Sequence, residues 1–217
     1  MKKTIQLFII IICLGSLNSY AQQYINDATL NYLVSVKSGA HAEQSKSYQY
    51  SLYVKGGLSR TDFKSSLGTE STIFDNKQQQ GAILKEYSNQ KLIIKMNGEN
   101  WIDKNKLFSQ LKFNIDETEK KVSGFSCKKA TVTLPNGENL VVYYAADFVM
   151  NNTNCNNCFP TLSGLIVKFE RNTPNASFEY NLQSINYDIV SSAVFELPKT
   201  GYRTLTYEEA LKLNKGE

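Results

Sequence analysis

The sequence predicts a mainly β (α+β) fold. One strongly curved antiparallel sheet or half-barrel of about ten strands carries a short mid-chain helix and a C-terminal helix. Three observations lead there. Apolar and polar residues alternate with period two over much of the chain. The links between successive runs are short and polar, so neighbouring strands are antiparallel. Aromatic residues make up 12% of the chain, 13 of them Tyr, which suits a β-rich exported protein. A meander this long must curl or close. Helices against its concave side complete the simplest arrangement.

Residues 1–21 read as a cleavable signal peptide. Lys2 and Lys3 give a basic start, Leu7 to Leu14 (LFIIIICL) an apolar core, and Ser19-Tyr20-Ala21 a small-x-small cleavage site. The cut falls between Ala21 and Gln22. The apolar core is too short to span a membrane. A lipoprotein cut before Cys13 is the competing reading, but it needs a small residue where Ile12 stands. Residues 22–217 then form a single domain, with four prolines in the chain, no low-complexity linker and no strong repeat. Its place is the periplasm or cell envelope. Removing Lys2 and Lys3 lowers the formal charge from +4 to +2. Without a Lys/Arg cluster, this argues against a nucleic-acid partner and a polybasic membrane anchor.

The elements follow in order. In SYQYSLYVK, Tyr48, Tyr50, Leu52 and Val54 share one face, and Gly56-Gly57 turns the chain. LSRTDFK, TESTIFD, GAILKEY and KLIIKM continue the meander, the last with Leu92, Ile94 and Met96 on one face. NGENWIDKNKLFSQLKF does not alternate and predicts a short helix or irregular crossover. FSCKKATVTL and ENLVVYYAAD flank Pro135-Asn136-Gly137, a strong hairpin signal. Leu140 to Ala146 is apolar on both faces, with Val142 and Tyr144 on one, and predicts a doubly buried strand. GLIVKFE, ASFEYNLQSINYD and a short edge at AVFELP follow. Thr206 and Glu209 form a capping box before the helix TYEEALKL.

An exported chain with a long meander, a mid-chain interruption and returning strands resembles the LolA/LolB-like periplasmic carrier superfamily. That resemblance implies a half-closed antiparallel barrel whose helices lid an apolar cavity for acyl chains. Val122 to Ala130 (VSGFSCKKA), with VVYYAAD after it, is similar to the GLPGLI-motif envelope proteins of Bacteroidota. There the motif position reads Thr161-Leu162-Ser163-Gly164-Leu165-Ile166, matching four of six letters. Thr161 and Ser163 stand where that family has Gly and Pro. FELPKTGYRTLTYEEA resembles the tail of small families in the same superfamily.

Candidate chemistry is sparse. A redox role for Cys155-x-x-Cys158 would need a thiolate at a helix N-terminus, yet the surroundings are loop residues. A zinc site would need four ligands, and only Cys127 and the lone His41 could join. The preferred reading is a local Cys155–Cys158 disulfide, stabilising by about 2 kcal/mol. Pairing of Cys127 with either cysteine is the alternative. His41 lies in a polar loop. Asp116/Glu117 and Glu208/Glu209 occupy surface-type positions. Arg60 and Asp62 read as a solvent face or a cross-strand ion pair. No catalytic residue, metal or cofactor is predicted. The sequence therefore implies a non-enzymatic, monomeric envelope protein that binds a lipid or lipoprotein acyl chain. Tyr48, Tyr50, Leu52, Val54, Leu92, Ile94, Met96, Val142 and Tyr144 would line its curved-sheet cavity. The alternative is an envelope structural or protein-interaction module on the same scaffold, with a filled core.

Overall fold

The computed structural model describes residues 22–38, 46–156, 158–172 and 176–215. The expected signal peptide, with Ala21, and the lone His41 lie outside the described residues. Period-two alternation becomes strands from the start. The chain opens with β1 (Gln23–Ile25) and β2 (Asp27–Ser38). The meander is β3 (Lys46–Lys55), β4 (Leu58–Ser65), β5 (Gly68–Asp75), β6 (Gln80–Tyr87) and β7 (Gln90–Asn97). Helix α1 (Gly98–Ser109) follows, capped by a reciprocal pair of hydrogen bonds between Asn97 and Asn100. Then come β8 (Asn114–Val122), β9 (Phe125–Thr133), β10 (Asn139–Ala145), β11 (Phe148–Met150), β12 (Leu165–Asn172) and β13 (Ala176–Asn186). A 3-10 turn (Ser192–Phe195), β14 (Arg203–Thr206) and α2 (Tyr207–Lys215) end the chain.

Twelve of the strands form one sheet, in the order β14-β7-β6-β5-β4-β3-β2-β13-β12-β10-β9-β8, and it does not close. β1 and β11 pair in parallel beside it. Within the large sheet every pairing is antiparallel except β14 with β7 at one edge. At the other edge β8 is exposed along nearly its whole length, and its pairing with β9 slips between Asp116 and Lys120. The hairpin at Pro135-Asn136-Gly137 joins β9 to β10, with Gly137 at φ +82°. The Thr206/Glu209 box also forms: the Glu209 N–H donates to Thr206 Oγ1 at 3.2 Å, and the Thr206 N–H to Glu209 Oε2 at 2.7 Å.

AVFELP departs from expectation. It forms the 3-10 turn, started by Ser191, rather than an edge strand. Its Val194 and Phe195, with Val190, pack on Ile73, Ala82, Leu84 and Ile93 of the outer face. These side chains gain more by lying flat on that apolar surface than by extending along an edge. Arg60 helps hold them. Its guanidinium pairs with Asp62 at 2.6 Å within the same strand, not across strands, and donates to the Val194 carbonyl at 2.7 Å.

The inner face follows from the register. Ile94, Ile83, Thr72, Thr61, Leu52 and Leu30 lie opposite one another across six strands. Leu92, Lys85, Glu70, Phe63, Tyr50 and Tyr32 form the next row. Helix α1 lies against this face and forces its curvature. Trp101 of α1 packs with Phe74, Ile94 and Met96, while Leu107 and Phe108 pack with Leu140, Val142 and Phe169. In a flat sheet β7 and β10 would stand about 38 Å apart. A helix of 12 residues spans only about 18 Å. The sheet must therefore wrap around it.

The Trp101 ring stacks on Phe74 with centroids 4.0 Å apart. Trp101 is 2% exposed. Trp101→Ala is expected to lower the unfolding free energy by about 3–5 kcal/mol, measured by urea titration.

Candidate functional site

The middle of the concave face is covered by α1 and the loop 151–164, and its β7 end by α2. The loop is built from NNTNCNNCFPTLSG, whose Asn-rich first half offers side-chain donors and acceptors in place of apolar bulk. Cys155 and Cys158 form a disulfide across it, with Cα atoms 5.3 Å apart, as the local reading expects. Cys127 is a buried free thiol on β9. Burial pushes its pKa up to about 11, so it is a poor nucleophile at neutral pH.

Asn156 fastens the loop. Its carbonyl accepts from the Tyr50 hydroxyl at 3.1 Å. Its side-chain oxygen accepts from Lys104 Nζ at 2.5 Å, and its amide nitrogen donates to Thr61 Oγ1 at 3.2 Å. Asn154 adds a second fastening. It accepts from Trp101 Nε1 at 2.5 Å and donates to Asn76 Oδ1 at 3.0 Å. Behind these polar residues, Phe159 and Leu162 are buried with Leu111, Leu140 and Phe169. Gly164 ends the loop where β12 begins. A Cβ there would stand 2.6 Å from the Tyr144 ring and 2.8 Å from the Ala145 carbonyl oxygen. Only glycine allows this approach, which gives the Gly-Leu-Ile step a steric reason.

Two spaces on the concave side meet at the loop. The first is an apolar void of about 40 Å³ beneath the loop, walled by Leu30, Tyr32, Leu52, Phe159, Leu162 and Phe169 among others. One water occupies roughly 10–15 Å³ on this measure, so the void is far smaller than an acyl chain. At its wall the buried Asn152 amide nitrogen has no hydrogen-bond partner among the described residues. The second is an open cleft of about 360 Å³ between α1 and β3–β6. Phe63, Tyr87, Phe178 and Tyr180 give it aromatic walls, and Thr61, Thr72, Glu70 and Lys104 give it polar groups. Tyr50 and Asn156 line both spaces and divide them.

The cleft's charges are unevenly paired. Lys85 meets Glu70 at 3.4 Å, and the Tyr87 hydroxyl donates to Glu70 at 3.2 Å. Burial, with the Glu70 charge beside it, pushes Tyr87 up to about 12. Burial lowers the Lys104 ammonium from the ordinary lysine value, partly countered by Glu70. Lys104 is left with the Asn156 amide as its hydrogen-bond acceptor among the described residues.

The expected lining residues share the concave face but not one cavity. Tyr50 and Leu52 line the void. Tyr48 packs on Phe63 with ring centroids 5.6 Å apart. Val54 is buried in the core beneath β2 and β3. Leu92 and Ile94 pack with Tyr207 and Ala210 of α2. Met96 lies in that cluster and also borders a separate open depression beside Gly81. Val142 and Tyr144 pack under α1 and the loop. The alternation that marks these residues marks an inward face, whether packed or hollow. No sequence pattern marks Lys104, Asn156, Phe63, Glu70 or Tyr180. The surface carboxylates are pinned locally: Glu117 meets Lys128 at 2.5 Å, and Glu208 accepts from Asn100 at 2.9 Å. Among the described residues no three His, Cys, Asp or Glu side chains group to hold a metal, and no helix is long and apolar enough to cross a membrane.

An open curved sheet with its helix and loop packed inside defines an unclosed half-barrel scaffold. Among solved structures the chain is similar to PNGF-II, at 12% identity and TM-score 0.50, covering 87% of this chain and 33% of that one. It thus spans about a third of PNGF-II's length. It is also similar to a LolA superfamily protein from Nitrosomonas europaea, at 7% identity and TM-score 0.38, covering 82% and 94% of the two chains. MucB is similar at 10% identity and TM-score 0.42, over 84% of this chain and 62% of that one. These are likenesses of fold. No family model matches the chain, and no curated protein does.

Two measurements check the loop and the thiol. Asn156→Ala is expected to cost about 1–3 kcal/mol and to speed amide exchange selectively across 151–164, with the disulfide intact. Maleimide at pH 7 is expected to leave Cys127 unlabelled in the native protein and to label it fully in denaturant.

Proposed function

We propose that the chain is an exported, non-enzymatic binding module of the cell envelope, cut between Ala21 and Gln22, that takes a lipid or lipoprotein acyl chain on its concave face. The observation that carries this reading is the division of that face. An apolar void and an open aromatic cleft meet at Tyr50 of β3 and Asn156 of a short polar-fastened loop, and the Tyr50 hydroxyl donates to the Asn156 carbonyl at this boundary. Moving the loop outward would join them into one elongated trough.

The energies are of comparable size. Releasing Asn154 and Asn156 breaks five hydrogen bonds, at about 1 kcal/mol each. Exposing Phe159 and Leu162 costs about 2 kcal/mol each. About 9 kcal/mol in all is offset by burying about eleven CH₂ groups at 0.8 kcal/mol each. Long chains therefore bind and short ones do not.

Trp101 is the only tryptophan and donates to the loop itself, so its fluorescence reports loop displacement. Tetradecanoyl glycerol is expected to shift Trp101 emission and hexanoyl glycerol to leave it unchanged. Native mass spectrometry and lipid extraction of the purified protein should also find a bound acyl lipid. A ligand-free protein that no acyl probe perturbs would defeat this reading. The second reading, an interaction module with a filled core, is favoured by the small void and by the tight burial of Phe159 and Leu162.

A further inference from the structure

We propose that the open cleft is a head-group site for an anionic amphiphile, and that Lys104 is the cation that receives its carboxylate or phosphate. This rests on the acyl-chain reading above and adds the chemistry of the ligand's polar end.

Three features place the anion. First, Lys104 reaches from α1 into the cleft, where its ammonium sits 6.0 Å from the Trp101 ring centroid and donates to Asn156 at 2.5 Å. Its two other N–H donors have no hydrogen-bond partner among the described residues. Second, the facing charges neutralise it only in part, because the Glu70 charge that acts on Lys104 is shared with Lys85. Glu70 of β5 and Lys85 of β6 pair with each other at 3.4 Å, leaving one positive charge over in the cleft. Third, the same loop that must move to admit a chain supplies the Asn156 acceptor. Once Asn156 leaves, a half-buried ammonium faces an aromatic-walled space without that hydrogen bond. Leaving a half-buried charge without a hydrogen-bond partner is unfavourable. A neutral lipid would impose that cost, whereas an oxyanion removes it and forms charge-assisted hydrogen bonds. The loop-displaced state therefore selects a ligand with an apolar body and a negative head. The lowered Lys104 pKa agrees with this, since burial disfavours the lone charge.

The geometry also sets the ligand's direction. Phe63, Phe178 and Tyr180 flank the head-group end, and Tyr50 stands at the boundary with the apolar void. The chain would run past Tyr50 toward Leu30 and Leu52.

The test titrates the whole protein with tetradecanoate, tetradecyl phosphate and tetradecan-1-ol, read by Trp101 emission and confirmed by native mass spectrometry. Both anions are expected to bind at least about tenfold more tightly than the alcohol. The ratio between the two anions tells a fatty-acid carboxylate from a phospholipid-type phosphate. Lys104→Met is expected to abolish the gap while leaving tetradecan-1-ol binding in place, and Lys104→Arg to keep it. Thermal melts of each variant establish that it is folded. Equal binding of anions and alcohol to the unaltered protein would overturn the head-group site and leave the acyl-chain reading standing. So would a gap that survives Lys104→Met. Failure of all three probes would defeat both.

Discussion

A twelve-stranded sheet that curves without closing leaves one face that water would otherwise reach, and covering that face governs the interior of this molecule. Beyond α2 at the β7 end, the cover comes in two pieces of different chemistry. Helix α1 supplies apolar bulk, with Trp101 at one end against Phe74 and Phe108 at the other near Phe159. The loop supplies Phe159 and Leu162 below and asparagines above. Because the loop crosses a partly buried region, its polar atoms must find partners there. Asn154 and Asn156 satisfy this by bonding four separate parts of the fold: α1, β3, β4 and the turn at Asn76. The cover is thus held by directional bonds at its surface and by packing beneath.

The outer face of the meander is handled differently. There the segment leading to β14 lies flat, with Phe195 on Ile73 and Ile93, and Arg60 bonds its backbone. β5 and β6 are consequently buried on both sides at their centres, which explains their consecutive runs of buried residues. Polar residues inside this double-sided region, such as Ser71, are hydrogen-bonded to neighbours; its hydroxyl accepts from Arg60 at 3.2 Å.

Much of the fold was legible in the sequence because alternation survives wherever one face meets apolar cover. β3 and β7 show it, and so do both capping and hairpin signals. What escaped lacks that contrast. β8 is polar on both faces, so NIDETEKKV has no period to detect. β14 has four residues and pairs in parallel with a strand over a hundred positions away. AVFELP carries strand-like composition, but its apolar residues meet a surface rather than an edge. The site was less legible still. Asn156 acts through Tyr50, Thr61 and Lys104, which lie 106, 95 and 52 residues distant. No local pattern announces such a meeting. The Cys155–Cys158 ring is legible in the sequence, and the Gly164 step stands out there as a motif. Its cause, the Tyr144 ring against the backbone, needed the tertiary structure.

The two free edges of the sheet have a consequence for the protein's behaviour in company. Unpaired backbone N–H and C=O groups at a sheet margin invite strands from other molecules. Here one margin, β8, presents Asp116, Glu117, Glu119, Lys120 and Lys121, and its ladder is broken in the middle. A second copy docking there would have to bury charges and match an irregular register. The other margin, β14, is four residues long and turns at once into α2. Both margins of the open half-barrel thus present a poor template for a strand from a second copy.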